Sequence, residues 1–182
     1  MVPLLESPRL LLKPIELADA PQIQATFPYW EIVKFLNSKV PWPYPSDGAV
    51  QFLTNIALPA VERGEEWLWS IRRKAEPEVL IGMMSLSKTE NKNRGFWLVP
   101  QFQGQGYMTE ACHVVTNFWF ETLQMPVLRS PKAIANEASR RISIAQGMRL
   151  VWSGDQNYVG GTFPSEMWEI TAEEWRARKH NK

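Results

Sequence analysis

The apolar positions change period along the chain. Residues 9–15 (RLLLKPI) run almost continuously apolar and predict a first strand, with Pro14 favouring a sheet edge. Helical spacing then takes over, with a short helix over 20–26 capped by Asp19 and a second over 30–37 (WEIVKFLN). The alternating prolines of VPWPYPSDG (40–48) forbid regular helix and predict an extended loop. After it, Ser46 or Asp47 is placed to cap a helix running to about Glu62, bent or broken at Pro59. From residue 66 the period shortens. Segments 67–73, 79–87 and 94–99 read as strands, and the brief turns KAEPE and KTENKN make them antiparallel neighbours. A long amphipathic helix follows over about 105–123, its apolar face carrying Met108, Ala111, Cys112, Val115, Phe118, Trp119 and Leu123.

Residues 126–130 predict a strand cut short by Pro131. Residues 136–147 predict a helix opened by Asn136 and closed by Gly147, and 149–153 and 166–170 predict two more strands. Thr171 and Glu174 have the spacing of a capping box, so the chain is expected to end in a helical turn. This order gives one mixed α/β domain over 1–182, with no linker to divide it.

Composition narrows the function. Lys plus Arg number 20 and Asp plus Glu 19, so no bulk charge favours nucleic acid or an anionic membrane. Cys112 is the single cysteine, which rules out an intramolecular disulfide and a cysteine-rich zinc site. The expectation is a reducing, cytoplasmic setting and no metal. The N-terminal segment lacks the basic and apolar regions of a secretory signal, and no apolar run reaches the roughly 18–20 residues of a membrane span. Nine tryptophans are enough to supply an exposed patch for a homodimer.

The candidate chemistry lies in GFWLVPQFQGQGYMTEA (95–111), where a strand meets Pro100 and two glycines precede a helix. A P-loop would need Gly-x-x-x-x-Gly-Lys-Ser/Thr, and no lysine is present. The dinucleotide fingerprint begins at Gly104 and Gly106 but meets Thr109 where its third glycine belongs. A third design, Gln/Arg-x-x-Gly-x-Gly/Ala between strand and helix, matches at Gln103 and Gly106. There the loop and first helical turn aim backbone N–H groups at an anion, assisted by the helix dipole.

With that loop, five blocks in order resemble the GNAT superfamily of acetyl-CoA-dependent N-acetyltransferases, and more narrowly its RimJ/RimL type. They are SPRLLLKPIELADA, LIGMMSL, GFWLVPQFQGQGYMTEA, NEASRRISIAQGMRL and EITAEEWRAR, and they cover most of the chain. The resemblance implies a single-domain GNAT fold. Its mostly antiparallel sheet of six or seven strands would be flanked by helices, with a V-shaped splay between the strand before the glycine loop and the strand after the long helix. By resemblance, the backbone of Gln103, Gly104, Gln105, Gly106, Tyr107 and Met108 would hold the coenzyme A pyrophosphate. Leu98 and Val99 would pair their backbone with the pantetheine arm, and Asn136 and Ser139 would contact pantetheine and nearby phosphate groups. Two departures stand out: Met108 replaces the final Gly or Ala of the loop motif, and Asn93 replaces a glutamate common in relatives.

The resemblance implies direct transfer to an amine. At pH 7 an α-amine of pKa about 7.8 is roughly 10–15% neutral and a lysine amine roughly 0.04%, a difference of about 3.5 kcal/mol. A site without a strong base therefore favours the α-amine of a protein or peptide. A backbone N–H near Val99 would polarise the thioester oxygen. The catalytic candidates are Tyr158, as proton donor, and Ser85, ordering water. Trp42 and Tyr44 of the WPYP loop are candidates for lining the acceptor cleft. His113, Glu110 and Cys112 read as structural. Two alternatives stay open: a small acceptor (a polyamine, a drug or an amino acid), and a CoA-binding module without catalysis.

Overall fold

The computed structural model describes residues 1–180. Its strands form two sheets in which every hydrogen-bonded neighbour is antiparallel. The first has the order β1-β2-β3-β4-β5, from β1 (Leu5–Glu6), β2 (Leu10–Pro14), β3 (Glu66–Arg73), β4 (Glu76–Ser87) and β5 (Arg94–Leu98). The second has the order β6-β8-β7, from β6 (Val127–Ala133), β7 (Arg149–Tyr158) and β8 (Gly161–Thr171). The helices are α1 (Ala20–Thr26), α2 (Trp30–Val33), α3 (Gly48–Phe52), α4 (Leu58–Glu62), α5 (Tyr107–Asn117), α6 (Glu137–Ala145) and α7 (Ala172–His180). No helix among the described residues is long and apolar enough to cross a membrane.

The first sheet separates two cores. Trp67, Trp69, Met84, Leu86 and Leu98 face Ala111, Val115, Phe118 and Trp119 of the long helical segment. Leu68, Leu80, Met83 and Trp97 face Ile23, Ala49, Leu53 and Ala57 on the other side. Strand alternation explains the division, and a β-bulge adjusts it: Ile71 pairs Gly82 while Arg72 pairs Leu80, so Ile81 has no opposite residue and turns to the first core.

Several expectations change. Eight strands replace six or seven, because Leu5–Glu6 adds a short edge. β7 and β8 run on to Tyr158 and Gly161, through a polar stretch (DQNYVGGT) with no apolar alternation to mark it. The helix is not broken at Pro59: α3 passes through a π-helical turn over Leu53–Ala57 directly into α4, which has Pro59 in its first turn. The long helix likewise ends in a π-helical turn, Phe118–Thr122. Asp19 is not a side-chain cap of α1. It accepts from Glu16 N–H (3.1 Å) and pairs with the buried Arg72 guanidinium (2.5 Å). Asp47 occupies the position before α3, but its carboxylate holds the Gln51 amide (3.1 Å). Asn136, Gly147 and the Thr171–Glu174 box behave as read, and the box opens a helix of nine residues instead of a single turn.

Pro131 does not shorten its strand, and the reason also explains the splay. Asn93 N–H donates to Arg129 O (2.8 Å), and Arg129 N–H donates to the Asn93 side chain (2.8 Å), joining the start of β5 to β6. Ile134 N–H donates to Pro164 O (2.8 Å). Even-numbered residues of β6 therefore bond β8, and odd-numbered ones face β5. Pro131 thus lacks an N–H only on the side facing β5, and costs the β8 ladder nothing. There, however, it cannot continue pairing, and the Arg94 carbonyl takes the Ser130 hydroxyl instead (3.2 Å). Beyond that point β5 and β6 part. The wedge is tied again at its open end: Val159 N–H donates to Leu36 O and Gly160 N–H to Lys34 O, both at 3.0 Å.

Candidate active site

The loop after β5 begins with a 3-10 turn, Pro100–Phe102. Gln103 then folds back, its amide donating to Leu98 O (2.9 Å) and its N–H to Pro100 O (3.1 Å). The Gln105 amide holds Gln101 O (3.0 Å). Both glutamine side chains thus fasten the loop to itself. Gly104 has φ +74° and Gly106 φ +80°, a region that favours glycine. Gly106 is the residue before α5, and Glu110 N–H is the first to bond back to it (3.0 Å). Tyr107, Met108 and Thr109 N–H groups have no partner within the helix. Among the described residues, Gly104, Gln105 and Gly106 N–H groups find no acceptor either. These donors crowd one end of an eleven-residue helix.

Two arginines frame them. Arg9 Nη1 donates to Gln105 O (3.0 Å), and its guanidinium lies 4.5 Å from the Tyr107 ring centre. Glu110 holds Arg9 in place, accepting from its Nε (2.7 Å) and backbone N–H (2.8 Å) and from the Ser7 hydroxyl (2.5 Å). Burial pushes the Glu110 carboxyl up, but those bonds outweigh it, so its pKa lies below the usual value. Arg73 covers Phe102 at 4.9 Å, and the Tyr107 hydroxyl helps hold its pKa above the usual value. Met108, the departure from the motif, turns its side chain into the core and leaves its backbone at the loop.

The adjoining edge of β5 is open. Ser87 N–H donates to Asn93 O and Val99 N–H to Ile81 O (2.9 Å each). This phase points Gly95 and Trp97 at β4, and Phe96 and Leu98 into the gap. Leu98 therefore presents its N–H to the gap, as a strand-like partner requires. Val99 does not: its N–H is taken by Ile81 and its carbonyl by Phe102 (2.9 Å). The expected oxyanion donor at Val99 is likewise engaged.

The remaining candidates scatter. Asn136 caps α6, accepting from Ser139 N–H (3.3 Å), and Ser139 is buried beneath it. The Tyr158 hydroxyl bonds Ser165 (2.8 Å), and burial raises its pKa. Ser85 lies opposite Gly95 and reaches its carbonyl only at 3.4 Å. Tyr44 packs edge-on to Phe27 (4.9 Å) and lies over Gly48, and burial pushes its pKa up to about 12. It covers the core. Trp42, 40% exposed, lies 5.6 Å from Trp30. Sequence reasoning missed Arg9, Arg94, Lys132 and Glu66. The Glu66 carboxyl is pushed up by burial. Arg94 stands at the start of an apolar strand, the available signal there, whereas Lys132 follows Arg129, Ser130 and Pro131 and carries no such signal.

A strand-to-helix loop of free N–H groups opens onto an unpaired strand edge of an α/β fold, an arrangement suited to an anionic group. Residues 9–149 match the family described as Acetyltransferase (GNAT) domain. The chain belongs to that family and is an acetyltransferase. The "Putative ribosomal N-acetyltransferase YdaF" of Bacillus subtilis (strain 168) is 29% identical over 106 residues, 55% of this chain and 58% of that protein. The match thus spans little more than half that relative's length. The "Uncharacterized N-acetyltransferase YoaA" of the same organism is 27% identical over 154 residues, 82% of this chain and 84% of that protein. Among solved structures, the RimL ribosomal L7/L12 alpha-N-protein acetyltransferase in complex with coenzyme A superposes with TM-score 0.79 at 16% identity. That superposition covers 94% of this chain and 99% of the other and supports the shared fold.

Proposed function

We infer that the protein transfers an acetyl group from acetyl-CoA to the α-amine of a protein or peptide. The row of free N–H groups over residues 104–109, framed by Arg9 and Arg73 and leading to the open edge at Leu98, carries this reading. Its donors suit a pyrophosphate, and the edge suits an arm with alternating amide groups. When bound, acetyl-CoA supplies an activated thioester. The chain contributes the cradle and the open strand edge beside it. Asn136 and Ser139 serve this site by fixing the start of α6. The names of the relatives point to protein acceptors, and the site's modest supply of bases agrees with an α-amine.

The test is calorimetry with acetyl-CoA, followed by initial rates on peptides with a free N-terminus and on N-terminally blocked lysine peptides. Micromolar binding is expected, with free α-amines favoured at least ~100-fold, in line with the deprotonation difference. Preference for polyamines or free amino acids would move the assignment to a small-molecule acceptor. Binding without turnover would leave a coenzyme-binding module.

Trp42 stands on the α1–α2 side of the first sheet with Trp30, where an acceptor would approach. Trp42→Ala should raise the acceptor KM severalfold with acetyl-CoA affinity unchanged. Loss of both would remove Trp42 from the acceptor side.

A further inference from the structure

Two buried cations lie where β5 and β6 part. Arg94 is 5% exposed; its Nη1 donates to Thr116 (2.8 Å) and to the Gln146 side-chain oxygen (2.6 Å), and its Nη2 approaches the Met148 sulfur (3.6 Å). Lys132 is equally buried. Its Nζ meets the Ser130 hydroxyl at 3.3 Å and lies 4.9 Å from the Phe96 ring centre. Lys132 belongs to β6 and Phe96 to β5, so this side chain crosses the gap between the splayed strands. Burying charge without a partner is costly. Among the described residues, no carboxylate forms an ion pair with either cation. Glu166 stands opposite Lys132 on β8, but its carboxylate is held by Arg140 (2.7 and 3.0 Å) and by the Trp168 indole (3.1 Å). From α5, the titratable neighbour is the fully buried Cys112, whose thiol is pushed up by burial. Burial, then the charge of Arg94, brings the Lys132 amine down to about 7. Three buried polar atoms, Arg94 Nε, Nε2 of its partner Gln146, and Ser143 Oγ on α6, have no hydrogen-bond partner among the described residues. Positive charge in excess and unused polar atoms describe a place that a negative group enters from outside.

Which negative group follows from the acetyl-CoA reading above, on which this inference rests. An arm laid along the open edge of β5 passes Leu98 and then, about 7 Å further on, Phe96. Next comes Arg94, where Ser130 and Pro131 close the gap. The sulfur end of the arm therefore arrives beside Lys132. We propose that Lys132, backed by Arg94, receives the coenzyme sulfur as a thiolate and supplies its proton. As the acceptor nitrogen bonds to the acetyl carbon, the carbon–sulfur bond breaks and its electron pair stays on sulfur. The Lys132 ammonium pairs with that thiolate and, as the coenzyme leaves, passes it one proton and becomes a neutral amine. The surplus proton of the acceptor nitrogen leaves to solvent, and solvent reprotonates Lys132. Tyr158 is less suited to this task, since its hydroxyl is tied to Ser165 and its pKa is raised away from neutrality.

Lys132 is charged below about pH 7 and loses its proton above it. When free coenzyme A binds, its thiol can pass a proton to the neutral amine and form a thiolate–ammonium pair. The experiment titrates the protein with coenzyme A at pH 7, following heat and the ultraviolet absorbance of the thiolate, with S-methyl-coenzyme A as the blank. The wild type should show thiolate absorbance on binding that free coenzyme A lacks at the same pH. Lys132→Met should bind coenzyme A within a few-fold yet lose that absorbance. Lys132→Arg should keep it while slowing acetyl transfer at least ~10-fold, because a guanidinium does not give up its proton. A protonated thiol in the bound wild type, or an unchanged thiolate signal in Lys132→Met, would overturn the proposal. So would acetylation of Lys132 itself by acetyl-CoA, which would put the amine at the carbonyl carbon. If coenzyme A does not bind at all, the acetyl-CoA reading fails, and this inference fails with it.

Discussion

Gly106→Trp should weaken acetyl-CoA binding by at least ~100-fold, about 2.7 kcal/mol, while the protein stays folded. Two effects add. Position 106 has φ +80° and ψ 0°, where an L-residue costs about 1–2 kcal/mol. The new side chain also lies over the free N–H groups of 104–109. The protein itself has room for it: an added Cβ meets only the tip of the Arg9 side chain, at 3.3 Å. The damage should therefore fall on the ligand. Gly106→Ala isolates the backbone cost and should weaken binding about tenfold. Calorimetry separates the two, and wild-type affinity in the tryptophan variant would end the pyrophosphate reading of this loop.

Arg72→Met should lower unfolding free energy by about 3–5 kcal/mol, a large share of what a domain of this size holds. Arg72 is 4% exposed and fastens three elements: it donates to Ser70 on its own strand (3.2 Å), to Pro77 O (3.1 Å) and to Asp19 before α1 (2.5 Å). Removing the guanidinium leaves the Asp19 carboxylate buried without its charge partner. Removing both charges should be milder, so Asp19→Leu with Arg72→Met should be more stable than Arg72→Met alone. Urea unfolding gives both numbers, and a loss under about 1 kcal/mol in the single variant would show that the pair does not anchor α1.

Most of the fold was legible wherever a face was apolar. The long helix announced itself through Ala111, Cys112, Val115 and Trp119, all buried as spaced. The caps of α6 and α7 were legible because their partners lie three residues away. Asp19 and Asp47 misled for the opposite reason. Each has the right chemistry for a cap, but distant or competing partners claimed it, and Arg72 is 53 residues from Asp19. β7 and β8 were underestimated because β7 is a largely exposed edge strand. At the site, the glycine loop was readable from its own spacing. Which amides of β5 face the gap was not, since that phase is set by single bonds at Asn93 and Val99. For this reason the Val99 amide turns to β4 while that of Phe96 faces the gap. Lys132 stayed hidden because its meaning depends on Phe96 and Arg94, contributed by another strand.

The ties at the two ends of the wedge have a mechanical consequence. Asn93 and Arg129 pin the apex, while Leu36 and Lys34 hold Val159 and Gly160 across the opening. Two legs with a crossbar form a braced triangle, not a pair of jaws. The width of the slot is then a fixed dimension of the frame, and a molecule passing through it must fit the frame as it stands.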